Sequence, residues 1–343
     1  MRLTALIALL PAVCFAYEPP TPYSFGAAGN CVADDTVAMQ SWLNSGARHL
    51  ALPVPSTCYR VTATLSVPST VEIIEGVGGR HPLIKNEASS EHVISIYQSD
   101  GLTIRNIGID GESGVKTYGA GIAINDSQNI TIENFHIEDT KAQGITVFGG
   151  SSRITLRDGN FENIGHMGIR LTDVAYSTVT GMYFTNCAQF GVQELGDTHH
   201  NLINGLFTTD NGLELLVAEE TAHHNIHYGL FASGTGDNGV TFIGDSNVLM
   251  GAVFNTNANN GLAIVGQGNI ASGVVAYDNN QSSSNFKNTH IIDNVNGPGD
   301  GNILLGISGE AFVGMGAGDN HLIGIPNLAI AEPDINYRGD YQK

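Results

Sequence analysis

The sequence predicts an all-β fold, a parallel β-helix in which short strands coil into a solenoid, and two repeating signals predict it. A glycine followed by alternating apolar residues, as in Gly121-Ile122-Ala123-Ile124, recurs along the middle of the chain at a nearly constant interval. The glycines that open these units are Gly121, Gly144, Gly168, Gly191, Gly212, Gly239 and Gly261. A second spacing, Asn-x-x-x-Gly, runs at a similar interval from Asn201/Gly205 to Asn320/Gly324. Two signals at one period, with abundant glycine and almost no helical pattern, indicate stacked coils.

Stacking gives each repeated residue a structural role. Alternate side chains of each strand point into a shared core, and equivalent strands of successive coils pair in parallel about 4.8 Å apart. The recurring asparagines are then expected to form an internal ladder of hydrogen bonds at one turn. The recurring glycines are expected where the backbone needs a positive φ or where a side chain would clash.

Composition limits the classes of function. The chain of 343 residues contains 43 glycines and 14% charged residues, with a formal net charge of −19. This is the composition of an ordered chain, and long solenoids of this length form one domain. Because no basic stripe is available to neutralise phosphates, the sequence predicts no nucleic-acid partner.

The segment 1–16 has the pattern of an export signal. Met1-Arg2 precedes an apolar run from Leu3 to Leu10, and a small residue, Ala16, ends the segment. Neither this run nor any later one is long enough to span a membrane. We therefore expect a secreted protein whose residues 17–343 form one domain, with a cap over 17–50, coils over 51–325 and a tail over 326–343.

The cysteines and sequons agree with an extracellular location. Cys31 and Cys58 flank the cap and are expected to form a disulfide, whereas Cys187 is interpreted as a small buried residue. Asn280, in a polar run, and Asn125 are the predicted glycosylation sites.

A helix is predicted in the cap and carries a family resemblance. Asp34 or Asp35 can cap it, Gly46 ends it, and its apolar face consists of Ala38, Met39, Trp42 and Leu43. The stretches 25–30 (FGAAGN) and 34–40 (DDTVAMQ) resemble the opening signature of the pectate-lyase superfamily. This resemblance implies a single-stranded right-handed parallel β-helix with an N-terminal capping helix. It links the chain to polysaccharide lyases, polygalacturonase-like hydrolases, sugar epimerases and phage tailspikes, without choosing among them.

A polar patch is predicted on the outward face of the glycine-led strands. The second residue after each glycine should face solvent, and in the middle three coils this residue is Arg170, Gln193 or Glu214. Thr241 follows in the same row. The patch can bind one sugar unit, or it can be an ordinary solvated face with an ion pair.

Glu194 stands where the neighbouring coils have core residues. The sequence leaves two possibilities: a bulge, or a carboxylate directed inward with a raised pKa, which is useful for acid catalysis.

Further candidates precede the glycine-led strands: His166, Asp210 with Asn211, and Asp237 with Asn238. Residues 209–214 distantly resemble the strand that carries a catalytic aspartate in polygalacturonase-like hydrolases. The second carboxylate of that family's pair is Asn238 here, and its histidine and Arg-x-Lys motifs are missing. Two carboxylates on adjacent coils can serve as acid and base, although Asx-Gly pairs are also ordinary turn residues.

Two His-His pairs occur one repeat apart, and we expect His199 to stack on His223 and His200 on His224. A stacked turn is the interpretation we adopt, and a divalent metal site is the alternative. The sequence therefore assigns no metal ligand.

The pattern favours a secreted enzyme that cleaves glycosidic bonds of a polysaccharide, by β-elimination or by hydrolysis. Arg170, Glu214, Asp210, Asp237, His166 and Glu194 are the candidate catalytic residues. Gln193, Asn211, Asn238 and Thr241 are the candidate substrate-binding residues. A lyase needs a base and a cation beside a uronate carboxylate, so Ca²⁺ is the one cofactor considered. The alternatives are a non-catalytic carbohydrate-binding or wall protein, and a β-helix enzyme that isomerises or cyclises a small molecule; the oligomeric state is open.

Overall fold

A computed structural model describes residues 18–87, 92–112, 118–279, 289–292, 301–308, 311–314, 321–323 and 329–330 of the chain. The expected signal segment, the sequon at Asn280, the pair Asn320/Gly324 and most of the tail lie outside these residues. No helix among the described residues is long and apolar enough to cross a bilayer.

The secondary structure of the described residues consists of two short helical segments followed by strands. A 3₁₀ turn covers Pro22–Phe25 and helix α1 covers Thr36–Leu43. The strands of the first part are β1 His49–Pro53, β2 Tyr59–Val61, β3 Leu65–Val67, β4 Ile73–Val77, β5 Leu83–Asn86, β6 Ile94–Tyr97, β7 Thr103–Asp110, β8 Ile122–Asn125 and β9 Thr131–Glu138. The middle strands are β10 Ile145–Phe148, β11 Thr155–Glu162, β12 Ile169–Thr172, β13 Thr178–Thr185, β14 Val192–Leu195, β15 Leu202–Thr209, β16 Leu216–Ala218, β17 Ile226–Ser233 and β18 Val240–Phe242. The last are β19 Val248–Asn255, β20 Leu262–Ile264, β21 Ile270–Tyr277, β22 Thr289–Ile292, β23 Ile303–Leu305, β24 Ala311–Gly314, β25 His321–Ile323 and β26 Ala329–Ile330.

Two parallel sheets carry the solenoid. The long-strand sheet has the order β1-β4-β7-β9-β11-β13-β15-β17-β19-β21-β23-β25, and the short-strand sheet has the order β20-β18-β16-β14-β12-β10-β8-β6-β3. β22, β24 and β26 form a small third sheet. Each strand pairs with its equivalent one coil away, so residues one repeat apart lie side by side. The predicted parallel β-helix is confirmed.

The second repeat marks a corner within the long strands. Strands β7 to β21 of the long-strand sheet each bend at one residue with positive φ, which is Asn106, Asn134 or Asp158 in early coils and Gly205 (φ 59°) or Gly229 (φ 63°) later. Glycine adopts this left-handed conformation without strain. The glycine of Asn-x-x-x-Gly is therefore a conformational requirement.

The asparagine of the same repeat forms the expected ladder. The Asn225 side-chain oxygen accepts a hydrogen bond from the Asn201 backbone N–H at 3.0 Å, and the Asn247 oxygen accepts from Asn225 at 3.1 Å. Asn269 and Asn302 continue the series at 2.8 Å. Because these side chains are buried, each bond satisfies a backbone donor that water cannot reach.

The glycines that open the short strands are needed for a different reason, which is lack of space for a side chain. At Gly168 an added Cβ would strike the Phe184 ring and lie 2.8 Å from the Gly191 carbonyl oxygen. Phe161 and Phe184 stack in the core with ring centroids 5.1 Å apart. Because Gly168 has no side chain, the stacked rings of Phe161 and Phe184 fit into the core beside it.

The cap closes the N-terminal end of this core. Met39, Trp42 and Leu43 of α1 are buried, and the Asp35 carboxylate accepts hydrogen bonds from the backbone N–H groups of Ala28 and Gly29. The two signature stretches of the cap are therefore held together by one carboxylate. Cys31 and Cys58 form a disulfide with their Cα atoms 4.8 Å apart, as expected.

Candidate functional site

The outward row of the short-strand sheet contains part of the predicted patch. Arg170 on β12 pairs in register with Gln193 on β14, and the next residue in the row is Val217 on β16, followed by Thr241 on β18. The expected column of Arg170, Gln193 and Glu214 is therefore wrong in its third member.

The error comes from one glycine. Leu215, and not Gly212, occupies the glycine position between Gly191 and Gly239, because Gly191 N–H donates to Glu214 O and Leu215 N–H donates to Gly239 O. Gly212 lies in the preceding turn, where an added Cβ would strike the Ala188 backbone. The available signal was the uneven spacing around Gly212, which is closer to Gly191 than to Gly239.

Glu214 nevertheless lies at the edge of this row. It occupies the turn position directly before the short strand, between Phe190 of the coil below and Asn238 of the coil above. Its Oε1 accepts hydrogen bonds from the Thr241 hydroxyl at 3.2 Å and from Asn238 Nδ2 at 3.3 Å. Three of the predicted site residues, Glu214, Asn238 and Thr241, are thus in direct contact.

Glu214 is only 6% exposed, and this burial changes the pKa of its carboxyl group. Burial and the nearby charge of Asp237 raise the pKa of Glu214 to about 7, against the effect of the two hydrogen bonds, which favour the charged form. The half-buried Asp237 is hydrogen bonded by the Asn259 side chain. Glu214 can therefore both release and accept a proton near neutral pH.

Gln193 lies one coil before Glu214 and Arg170 lies two coils before it, and both side chains have unused hydrogen-bonding atoms. Arg170 Nε and Gln193 Oε1 are buried from solvent and have no hydrogen-bond partner. Gln193 Nε2 donates to Glu219 Oε1 at 3.1 Å. Glu219 was not among the candidates, because it lies in a turn outside both repeats.

Glu194 is the inward carboxylate that the sequence left open as one of two possibilities. It is fully buried on β14, and its Oε2 lies 2.9 Å from Nε2 of His227, which is fully buried on β17 of the opposite sheet. The pair crosses the core behind Gln193 and does not reach the outward face. His227 was missed, although it interrupts a row of aliphatic residues, Ile203 before it and Leu249 after it.

The remaining candidates lie apart from Glu214. His166 is exposed at a turn two coils before Leu213, the residue next to Glu214, about 10 Å along the solenoid. Asp210 is exposed at the end of β15 with φ 59°, at a corner where Asn186 has φ 56° and Gly234 has φ 68°. Asn211 is buried, and its Oδ1 accepts the Cys187 N–H at 3.2 Å. Backbone conformation and hydrogen bonding account for Asp210 and Asn211.

Cys187 is buried, and burial raises its thiol pKa to about 12, so the interpretation of a small inert residue agrees with its position. Asn125, the other predicted glycosylation site, is half-buried at the end of β8.

Exposed aromatic rings form a stripe on the second half of the long strands. Tyr183 stacks on Phe207 with centroids 5.1 Å apart, and Phe207 packs on Phe231 at 6.1 Å. In the row below Tyr183 the residues are Asn160 and His136. Stacked rings on a flat sheet offer a surface for sugar rings.

Carboxylates near the stripe bear on the Ca²⁺ expectation. In the described part of the chain, the group His136, Glu138 and Glu162 places three possible ligand atoms within 4.8 Å of one another. His136 Nδ1 lies 2.9 Å from the Asn160 side chain, which orients the ring. Such a set of one imidazole and two carboxylates can bind a divalent cation.

Comparisons with known proteins agree with this architecture. A family described as "right handed beta helix region" matches residues 74–205 and 120–301, which together span more than half of the chain. A search of curated protein sequences found no match.

Solved structures with the same fold are similar at low sequence identity. The A-module of a mannuronan C-5 epimerase from Azotobacter vinelandii has a TM-score of 0.73 at 16% identity, covering 94% of this chain and all of that one. The endo-xylogalacturonan hydrolase of Aspergillus tubingensis has a TM-score of 0.56 at 13% identity, covering 92% of this chain and 99% of that one. The Dettilon tailspike protein has a TM-score of 0.64 at 13% identity, covering 89% of this chain and 63% of that one. At these identities the likeness establishes the fold alone.

Proposed function

Since the chain belongs to the right-handed β-helix family, whose solved structures include carbohydrate-acting proteins, we propose that it is an enzyme that cleaves glycosidic bonds of a polysaccharide, with Glu214 as the proton-transferring group. The observation that carries this proposal is the buried Glu214 carboxyl, whose pKa of about 7 lies near neutral pH. General acid–base catalysis is most efficient when the pKa of the catalytic group lies near the working pH.

Arg170 and Gln193 favour a substrate that carries a carboxylate. Arg48, Arg60, Arg105 and Arg157 each form an ion pair with a glutamate. Arg170, in contrast, forms no ion pair with the described residues, and its Nε lies buried without a hydrogen-bond partner among them, next to Gln193. A guanidinium in this state suits a planar carboxylate such as that of a uronate. It also supplies positive charge locally on a chain with a net charge of −19.

On a uronate the site supports β-elimination. The Glu214 carboxylate takes the proton from the carbon next to the uronate carboxylate, and the electrons of that C–H bond form the new C=C bond. The bond from the neighbouring carbon to the glycosidic oxygen breaks, and protonated Glu214 then returns its proton to the departing oxygen. Arg170 stabilises the negative charge that develops on the substrate carboxylate during the first step.

Hydrolysis is the alternative that the same residues support. Protonated Glu214 would then donate to the glycosidic oxygen, while Asp237 on the next coil would accept a proton from the attacking water. The proposed roles of Asn238 and Thr241 are the same in both cases: they hold Glu214 Oε1 in place.

The test is product analysis over a panel of neutral and uronate-containing polysaccharides, with and without Ca²⁺. Elimination gives ultraviolet-absorbing unsaturated ends together with new reducing ends, and hydrolysis gives reducing ends alone. Glu214→Gln should lower the rate at least about 100-fold, in line with the size of acid–base contributions, with an unchanged circular dichroism spectrum. Asp139→Asn, at the same corner as Asp210 three coils earlier, is the control. Full activity of Glu214→Gln would refute the assignment.

Asp210 is tested beside it. If the carboxylate of Asp210 takes part in the chemistry, Asp210→Asn loses activity. If the corner conformation explains the residue, this variant keeps the activity of Asp139→Asn, and we expect the second result because asparagine tolerates a φ of 59°.

A non-catalytic carbohydrate-binding role is favoured by one observation, the exposed stack of Tyr183 on Phe207, with the half-buried Phe231 packed beside it. In that case the chain is retained on a polysaccharide without releasing product, and Phe207→Ala abolishes retention. If neither release nor retention occurs on any glycan, a small-molecule isomerase or cyclase becomes the better hypothesis.

A further inference from the structure

Four histidines form two stacked layers on the turns that lead from the short-strand sheet to the long-strand sheet. The rings of His199 and His223 lie 5.2 Å apart, and those of His200 and His224 lie 5.5 Å apart, both with an interplanar angle of 7°. This is the stacking expected from the sequence. Within each layer the Nδ1 atoms of the two histidines face each other, at 2.8 Å in the lower layer and 2.7 Å in the upper one.

The proton positions in the upper layer follow from one carboxylate. Asp197 Oδ1 lies 3.0 Å from His223 Nε2. Since an ionised carboxylate only accepts hydrogen bonds, neutral His223 carries its proton on Nε2 and has a lone pair on Nδ1. The short distance between the two Nδ1 atoms then requires His224 to donate its proton from Nδ1.

We propose that a divalent transition-metal ion of the zinc class binds between the Nδ1 atoms of His223 and His224, in place of their shared proton. The His224 proton moves to its exposed Nε2, so both Nδ1 lone pairs become ligands and no net proton is released. Two nitrogen ligands on one tetrahedral ion, each at about 2.0 to 2.1 Å, are about 3.3 Å apart. The observed 2.7 Å between the two Nδ1 atoms must therefore open by about 0.6 Å.

The surroundings supply what the two imidazoles lack. Glu220 and Asp245 line the same surface depression as His223 and His224, and water or a carboxylate that moves toward the pair completes the coordination. The hydrogen bond from His223 Nε2–H to Asp197 orients the ring, as a carboxylate does behind many metal-binding histidines.

The upper layer is the site, and the two layers do not share an ion. Two ligands on opposite sides of one ion are at most about 4.2 Å apart, and the rings of successive layers are 5.2 and 5.5 Å apart. The lower layer packs against Tyr176, whose ring centroid is 5.4 Å from that of His200. We therefore expect one ion per chain at the two histidine layers. This site does not depend on the function proposed for Glu214.

Calorimetric titration of the untagged full-length chain with ZnCl₂ at pH 7.5 tests the proposal. The expected result is one ion per chain, with binding at least tenfold weaker in His223→Ala and in His224→Ala, and about tenfold weaker in Asp197→Asn. His81→Ala removes a histidine from another turn, beside Asn134, and should leave binding unchanged.

A second readout separates this site from other histidines. Cu²⁺ bound at one equivalent should show electron paramagnetic resonance coupling to two imidazole nitrogens. This two-nitrogen coupling should be lost in His224→Ala and in His224→Gln. The glutamine variant keeps a hydrogen-bonding side chain and serves if the alanine variant folds poorly. The proposal is overturned if the wild-type chain binds no Zn²⁺. It is also overturned if His136→Ala abolishes binding while His224→Ala retains it, because the ion would then sit on the His136, Glu138 and Glu162 group.

Discussion

At the scale of single residues, Glu214 shows how a turn position can alter the chemistry of a side chain. The coil around it opens its short strand with Leu215 in place of glycine, and the carboxyl group of Glu214 is buried against Asn238 and Thr241. A buried carboxyl next to another acid resists ionisation, and the two hydrogen bonds offset this only in part. The same side chain on an exposed strand would be an ordinary solvated glutamate.

Glu214 should make stability depend on pH. Its pKa rises from 4.5 in the unfolded chain to about 7 in the folded chain, so the folded chain binds this proton more tightly. Its contribution to stability is complete below about pH 4.5 and is lost as the pH rises through about 7.

The neutral variant Glu214→Gln should remove that loss. Relative to wild type, its free energy of unfolding should increase between about pH 4.5 and pH 8 by up to about 3 kcal/mol. Urea denaturation at several pH values measures this difference, and a constant offset between the two proteins would contradict it.

At the scale of strands and turns, glycine recurs once per coil at two positions, the start of the short strand and the corner of the long strand, and each position needs glycine for a different reason. Gly168 is required because a Cβ would strike Phe184 in the core, whereas Gly205 is favoured by its φ of 59° at a corner where a Cβ would meet only ordinary van der Waals contacts with Gly181. Asn106 and Asn134 occupy the same corner in earlier coils.

Substitutions should distinguish the steric role of Gly168 from the conformational role of Gly205. Gly168→Ala overpacks the core and is expected to cost about 1 to 3 kcal/mol or more. Gly205→Asn, which copies the residue at this corner in other coils, should cost less than about 1 kcal/mol. Thermal denaturation of both variants provides the comparison, and equal losses would contradict this division of roles.

The Glu194–His227 pair joins the two sheets through the core. Removing one partner leaves the other buried without its hydrogen bond, so Glu194→Leu and His227→Leu should each cost about 3 to 5 kcal/mol. The double variant matches the aliphatic residues of neighbouring coils, Leu171 and Leu249, and should be more stable than either single variant. A double-mutant cycle in urea measures the coupling, and additive losses would show that the contact is energetically unimportant.

At the scale of the whole molecule, the solenoid is a stack in which each coil contacts mainly its neighbours, so its ends decide how it opens. The cap buries Trp42, the single tryptophan of the chain, whose indole N–H donates to the Pro20 carbonyl oxygen at 2.8 Å. The disulfide between Cys31 and Cys58 fastens the segment before α1 to the first coils.

Reduction of this disulfide should loosen the cap before the coils. Tryptophan fluorescence reports the cap and far-ultraviolet circular dichroism reports the strands, so the two denaturation curves should coincide in the oxidised protein and separate after reduction, with fluorescence changing first. Cys187 is buried and unpaired, and Cys187→Ala provides a background in which reduction affects only the cap. Coincident curves after reduction would mean that cap and coils unfold as one unit.

Much of the site could be predicted because the coils repeat. Arg170 and Gln193 were placed side by side, and the stacking of His199 on His223 was correct, since the spacing in the sequence equals the length of one coil. Glu214 was placed in the outward row, although Val217, three residues later, occupies that position, because Gly212, needed for a close approach to Ala188, has the sequence pattern of a strand start. The partner of Glu194 could not be found, because His227 lies on the opposite sheet and shares no repeat with it.

The sequence by itself determined the period, the parallel stacking, the cap and the asparagine ladder, because each depends on contacts between residues one coil apart or closer. Only the tertiary structure decided which side chains meet across a turn or through the core: Glu214 with Asn238 and Thr241, Glu194 with His227, and His223 with Asp197. These contacts depend on where a coil has one residue more or fewer than its neighbours, and on whether a side chain lies on the inner or the outer face of its strand. The spacing of residues along the chain carries no information about distances through the interior.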